Sequence, residues 1–166
     1  VSSDLPRAAQ TAEVIAGPLQ LKVDVSSALR ERHFGPYEGM TAEQLRAARQ
    51  QLGVAQTGDL ADWTGMPQIE STDAVWLRVS GFLQELSHRY PGQDLLVVTH
   101  GGVIARVVSR SLGIPEGSPR RFALSNGIVA VLEFRDPSFW LLSLADLPLI
   151  YSHEATPDTA TAQPAK

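Results

Sequence analysis

The sequence predicts an α/β domain: a three-layer α/β/α sandwich with a mostly parallel sheet and a C-terminal antiparallel hairpin. Three observations point there. Short apolar stretches alternate with helix-periodic segments from Leu5 to Leu112. The run Leu95-Leu96-Val97-Val98 is continuous and ends on Thr99-His100-Gly101-Gly102, as expected of a central parallel strand, buried on both faces, that leads straight into a helix. Finally, Ile128 to Phe134 and Phe139 to Ala145 flank Arg135-Asp136-Pro137-Ser138, the pattern of a hairpin at a sheet edge.

In chain order, Asp4 or Ser3 can cap a first helix whose apolar positions Leu5, Ala8, Ala12, Ile15 and Leu19 recur at helical spacing. Gly17-Pro18 stops it. Leu21, Val23 and Val25 alternate with polar residues, which reads as a short strand. Residues 26 to about 40 form a long ordered loop rich in Arg, Glu, His and Gly. Thr41 with Gln44 is a capping box for a second helix to about Leu52. Gly53 to Thr72 is a connector, expected over the ligand crevice and able to choose the substrate, although its Trp63 reads equally as core. Asp73 opens a third helix through Val75, Val79, Phe82, Leu86 and Tyr90, ended by Pro91-Gly92. The helix after His100 carries Val103, Ile104, Val107, Val108 and Leu112, with Gly113 at its end.

The 166 residues, 43% hydrophobic and 19% charged, suffice for one domain with a sizeable core, assigned here to 1–150. Residues 151–166, rich in Thr, Ala and Pro, are expected to be a disordered tail. A net charge of −4 offers no footprint for nucleic acid. The absence of cysteine excludes disulfide scaffolds, thiolate metal sites and cysteine nucleophiles. No apolar run approaches the roughly 20 residues of a membrane span, and no signal core is visible, so a cytoplasmic address is expected. Nothing in the pattern sets an oligomeric state.

In a parallel α/β sheet, ligands sit at the carboxyl ends of the strands, where helix N-termini present free N–H groups to anions. Two such junctions carry chemistry. In Val1-Ser2-Ser3-Asp4-Leu5-Pro6-Arg7, Arg7 occupies the first turn of a helix, where a cation is disfavoured by ~0.3–1 kcal/mol. A bound phosphate would offset that cost, because guanidinium grips it through two parallel hydrogen bonds. The plainer alternative pairs Arg7 with Asp4 or Glu13. At the second junction His100 faces the crevice, Gly101 and Gly102 let a ligand approach the backbone, and imidazole can donate to a phosphoryl oxygen or move protons near neutral pH. The plainer alternative there is a structural histidine. A third stretch, Leu29-Arg30-Glu31-Arg32-His33-Phe34-Gly35-Pro36-Tyr37-Glu38-Gly39, reads alone as a surface ion-pair cluster. Beside a phosphate, its Glu31 could protonate a leaving alkoxide.

Together these stretches resemble the histidine phosphatase superfamily, which includes the phosphoglycerate mutases and many small-molecule phosphatases. The resemblance rests on Ser2-Ser3-Asp4-Leu5-Pro6-Arg7-Ala8 with Gln10-Thr11-Ala12, on Leu29-x-Glu31-x-x-x-Gly35-x-x-x-Gly39, on Val97-Val98-Thr99-His100-Gly101-Gly102, and on Asn126 ahead of an apolar strand. It covers residues 1 to about 147. It implies that Arg7, His100 and Gly101 bind the phosphate, that His100 acts as an electrophile, and that Glu31 is general acid and then base. It implies a phosphohistidine intermediate, a small phosphorylated metabolite as partner, and neither cofactor nor metal, since Arg and His supply the charge.

The family's nucleophile lies in an Arg-His-Gly motif upstream of the Arg7 segment, and no Arg-His-Gly occurs in the sequence. The chain as given is therefore expected to lack the nucleophile and the strand carrying it. Losing four or five buried apolar side chains would cost on the order of 10 kcal/mol, so the chain alone is expected to fold poorly unless another segment fills the slot. His33 reads as a polar loop residue, and His88 and His153 as weaker candidates. Hydrolysis is preferred over mutase chemistry. Glu31-Arg32-His33-Phe34-Gly35 is mutase-like, but the mutases' adjacent Arg pair and Pro-Pro element are missing between Glu31 and His100, where Arg46, Arg49 and Arg78 stand apart; Arg120-Arg121 falls beyond His100. A non-catalytic phosphate-binding domain is the remaining alternative.

Overall fold

A computed structural model of the chain describes residues 1–55, 63, 65–115, 118, 122 and 124–146. The expected tail, Arg120-Arg121 and residues 56–62 and 64 of the connector lie outside the described residues. The architecture is mixed α/β with a parallel sheet and a C-terminal antiparallel hairpin, as predicted. In order, the elements are β1 (Ser2–Ser3), α1 (Pro6–Ala16), β2 (Val25–Ser26), α2 (Ala42–Gln51), α3 (Thr72–Arg89), α4 (Gly101–Ser111), β3 (Ile128–Arg135) and β4 (Ser138–Asp146). Among the described residues no helix is long and apolar enough to cross a membrane.

The parallel sheet is short. Its middle is β1, whose Ser2 N–H donates to Asp24 O at 2.8 Å and whose Ser3 N–H donates to Val98 O at 2.9 Å. β2 pairs with one side of β1, and Val98 joins the other as a single parallel bridge to Ser2. The expected strand from Asp94 to Thr99 is thus reduced to one bridge, and it is not buried on both faces: Leu95 and Leu96 are 38% and 54% exposed. With β1 only two residues long, few ladder partners exist to extend it. For the same reason the strand expected from Leu21 narrows to Val25–Ser26, with Leu21 and Val25 facing solvent.

α1 ends at Ala16, before Gly17-Pro18, but its cap differs from expectation. Leu5 is the N-cap residue, without a side-chain cap, and Pro6 opens the helix. Asp4 cannot cap because its carboxylate is held by Arg30. The buried stripe is Ala8, Ala12 and Ala16, while Ile15 and Leu19 are exposed. Alanine there lets the helix lie close to β1. α2 carries the predicted capping box, with Gln44 N–H donating to Thr41 Oγ1 and Thr41 N–H to Gln44 Oε1. α3 is capped by Ser71, two residues before the expected start, and Asp73 pairs instead with Arg110. Its Val75 and Val79 pack on Val103 and Val107 of α4, with Trp76, Leu83 and Leu132 around them. The hairpin runs as predicted, longer by Arg135 and Ser138 at the turn and by Asp146 at the far end.

A second cluster supports the loop between β2 and α2. Tyr37, Leu45 and Met66 are buried together, with Val54, Trp63 and Ile69 against them. Gly35 is essential to that loop. Its φ is +58°, and a Cβ there would stand 2.4 Å from the backbone oxygen of Gln68. Gly35→Ala is expected to cost about 1–3 kcal/mol, read as a lowered urea midpoint at unchanged slope. An unchanged midpoint would show that the loop is not packed this way.

Candidate active site

The carboxyl ends of β1 and of the Val98 segment open onto the N-termini of α1 and α4. Between the start of α1 and the loop after β2 lies a cavity of about 740 Å³, lined among others by Leu5, Arg7, Glu31, Phe34, Trp63 and Arg78. The structure therefore brings Arg7 and Glu31, 24 positions apart in the sequence, into one wall.

Arg7 does not form the ion pair with Asp4 that the plainer reading of its segment offered. The competing partner, Asp4, accepts from Arg30 Nε at 2.7 Å and Nη2 at 2.6 Å, which lowers the Asp4 pKa. Among the described residues the Arg7 guanidinium has no ion pair and no hydrogen bond. A cation left unpaired in a first helical turn, on a cavity wall, is chemically able to receive an anion.

His100 is the N-cap residue of α4 and only 7% exposed, and neither it nor Gly101 is among the residues that line this cavity. Its Nε2 lies 2.9 Å from Ser3 Oγ, which also accepts from Leu5 N–H at 3.3 Å. Burial lowers the His100 pKa, the Arg7 guanidinium lowers it further, and the Glu31 carboxylate pulls the other way. The ring is thus neutral at pH 7. Because the folded pKa lies below the ordinary 6.5, the unfolded chain takes the proton first. Stability contributed by His100 is complete above about 6.5 and declines as pH falls through the window beneath it. His100→Asn is expected to shrink the difference in urea midpoint between about pH 7.5 and about pH 5.5. An unaltered difference would assign the acid sensitivity to carboxylates alone.

Glu31 occupies the space that the sequence reserved for a ligand. Its Oε2 accepts the Gly102 N–H at 3.0 Å and its Oε1 the Arg32 N–H at 2.9 Å. A Cβ on Gly102 would stand 2.3 Å from Oε1, so this glycine admits the protein's own carboxylate. Gly101, by contrast, is exposed, with nothing within 4 Å of the corresponding position.

His33 lines the cavity rim, its Nδ1 accepting the Gly35 N–H at 3.2 Å and its Nε2 lying 3.6 Å from Glu38. His88 is remote, edge-on to Phe134, and His153 lies outside the described residues. Trp63 proves to be both wall and core: it packs on the Tyr37 cluster, and its ring meets Phe34 at 4.6 Å between centroids, tilted by 39°. Sequence reasoning missed Arg78, whose signal was a charged residue set among Val75, Val79 and Phe82 on the apolar face of α3.

The family model described as the histidine phosphatase superfamily (branch 1) matches residues 1–147. The chain belongs to the histidine phosphatase superfamily. Among curated relatives it is 34% identical over 111 residues to the phosphoglycerate mutase-like protein 4 of Arabidopsis thaliana, covering 66% of this chain and 48% of that protein. It is 30% identical over 148 residues to the probable phosphoglycerate mutase GpmB of Yersinia enterocolitica, covering 86% of this chain and 66% of that protein. The chain thus spans about half to two-thirds of the length of these relatives. Among solved structures, a mycobacterial glucosyl-3-phosphoglycerate phosphatase in complex with VO3 superposes with a TM-score of 0.67 at 29% identity, over 84% of this chain and 71% of that one. Bacillus stearothermophilus YhfR superposes with a TM-score of 0.66 at 22% identity, over 85% of this chain and 70% of that one, a likeness of fold.

Proposed function

We propose that these residues form the phosphate-binding and proton-transfer part of a phosphomonoester hydrolase that works through a phosphohistidine. Arg7 clamps the phosphoryl oxygens, His100 and the N–H groups at the start of α4, Gly101 included, polarise them, and Glu31 gives its proton to the leaving alkoxide before activating water. The family's acceptor histidine stands in an Arg-His-Gly motif that the 166 residues do not contain, so the phosphoryl acceptor is not assigned to any of them. The substrate is a small phosphorylated metabolite, with neither nucleic acid nor membrane as partner, met in the cytoplasm.

The observation that carries this reading is the uncommitted guanidinium of Arg7. It also favours hydrolysis over mutase chemistry. A phosphoglycerate offers a carboxylate as well as a phosphate, yet Arg30 is engaged by Asp4, Arg78 by Glu70, and Arg32 donates to the Glu70 carbonyl at 2.6 Å. The rest of the wall mixes apolar Phe34, Met40 and Trp63 with Ser27, His33 and Glu38, and among the described residues contains no further arginine or lysine.

Calorimetric titration of the chain with inorganic phosphate and vanadate, beside Arg7→Ala, tests it together with phosphate release from a panel of monoesters. Binding that depends on Arg7 is expected. A folded chain that binds neither anion, or binds both equally well without Arg7, would overturn the reading. Arg7-dependent release would place an acceptor within the chain, with His33 first to be replaced.

A further inference from the structure

We infer that Arg78 and Glu70 are positioning residues that hold the Glu31 loop so that its carboxylate reaches the Gly102 N–H. The inference rests on the proposed function only for the acid role given to Glu31.

A guanidinium has five N–H donors in a fixed plane. In Arg78 all are used. Nε donates to Glu70 Oε1 at 2.7 Å, and Nη1 donates to the carbonyls of Ala28 and Arg30, each at 2.8 Å. Nη2 donates to Glu70 Oε2 at 2.9 Å and to the Glu31 carbonyl at 3.2 Å. Although Arg78 borders the cavity, no donor is left for a phosphate, which separates it from Arg7. Its role is to tie three carbonyls of one loop to α3.

Glu70 closes the other side. Its N–H donates to the His33 carbonyl at 2.9 Å, its carboxylate accepts the His33 N–H at 3.1 Å, and its carbonyl accepts Arg32 Nε at 2.6 Å. The loop from Ala28 to His33 is thus gripped on both sides of Glu31 by one ion pair. The pair is largely shielded, with side chains 24% and 19% exposed, so it keeps its geometry better than a surface pair would. The hydrogen bond from Arg78 lowers the Glu70 pKa, which keeps the clamp ionised through the neutral range. Residues 28–33 contain no regular helix or strand longer than the single turn ending at Leu29, so beyond the Arg32 N–H that meets Glu31 Oε1 the backbone around Glu31 leans on the clamp.

The test uses nuclear magnetic resonance of the chain, reading the Gly102 amide. Arg78→Ala and the near-isosteric Glu70→Gln are expected to move that resonance to where Glu31→Gln places it and to speed its hydrogen exchange about tenfold or more. Vanadate affinity, set by Arg7, is expected to change less than threefold. Arg78→Lys, which lacks the planar fork, is expected to restore the resonance only in part. A Gly102 amide unchanged in folded Glu70→Gln and Arg78→Ala would overturn the inference. Vanadate binding that ignores Arg7 in the parent chain would instead strike the functional reading, with the amide still deciding the clamp.

Discussion

Arg7→Ala is expected to weaken the binding of inorganic phosphate and vanadate by about a hundredfold while leaving the fold as stable or slightly more so. The first half follows from what Arg7 lacks. A guanidinium already paired in the free protein must break that pair to bind, and its removal then costs little; Arg7 has no such partner among the described residues. Two charge-assisted hydrogen bonds at ~1.5–3 kcal/mol each, taken at the low end because the side chain is exposed, give ~3 kcal/mol, or roughly two orders of magnitude in Kd. The second half follows from position. A cation in a first helical turn is unfavourable by ~0.3–1 kcal/mol, and alanine is the better helix former there. Lost affinity with retained or raised stability marks a residue kept for function. Titration calorimetry and urea unfolding on the same two samples decide it, and Arg7→Lys should fall between them, with the charge but not the fork. A destabilised Arg7→Ala with unchanged affinity would mean that Arg7 holds structure rather than ligand.

The helices were legible because each is written locally. Thr41 with Gln44, the Gly17-Pro18 stop and the Val75/Val79 stripe act over three or four residues, and the structure uses all of them. The strands were not, because a strand's extent is set by its partners: Leu95–Val98 is as apolar as a central strand, yet with β1 only two residues long it forms one bridge. The site divides the same way. Arg7 and His100 could be read from their places at strand-to-helix junctions, whereas Asp4 taking Arg30 rather than Arg7, and Glu31 filling the space above Gly102, are contacts across 26 and 71 positions. Arg78 shows the boundary best. Its charge on an apolar helix face was visible, but its purpose lies in three carbonyls of another segment, which no pattern in α3 encodes.

Leu29→Ala is expected to produce the largest loss of stability, about 2–5 kcal/mol. Leu29 is fully buried, at the end of the single turn that begins at Ser27, and two residues from Glu31. Its carbonyl accepts Thr99 Oγ1 at 2.7 Å, so this one residue joins the acid loop to the segment that presents His100. Truncation removes the apolar anchor and leaves a void that flanking backbone, pinned by Arg78 at Ala28 and Arg30, cannot readily collapse into. Leu96→Ala, at 54% exposure, is the proper comparison, because it deletes the same atoms from a site already half in water. Its cost should stay below ~1 kcal/mol. Equal costs for the two would mean that the loop is not anchored in the core. A large gap between them would show that the loop carrying Glu31 is held from both ends of its span, by apolar burial at Leu29 and by the ion pair of Glu70 with Arg78. Such double anchoring is what the proposed function asks of Glu31 if, from its loop, it is to stay within reach of a leaving group positioned by Arg7 on α1.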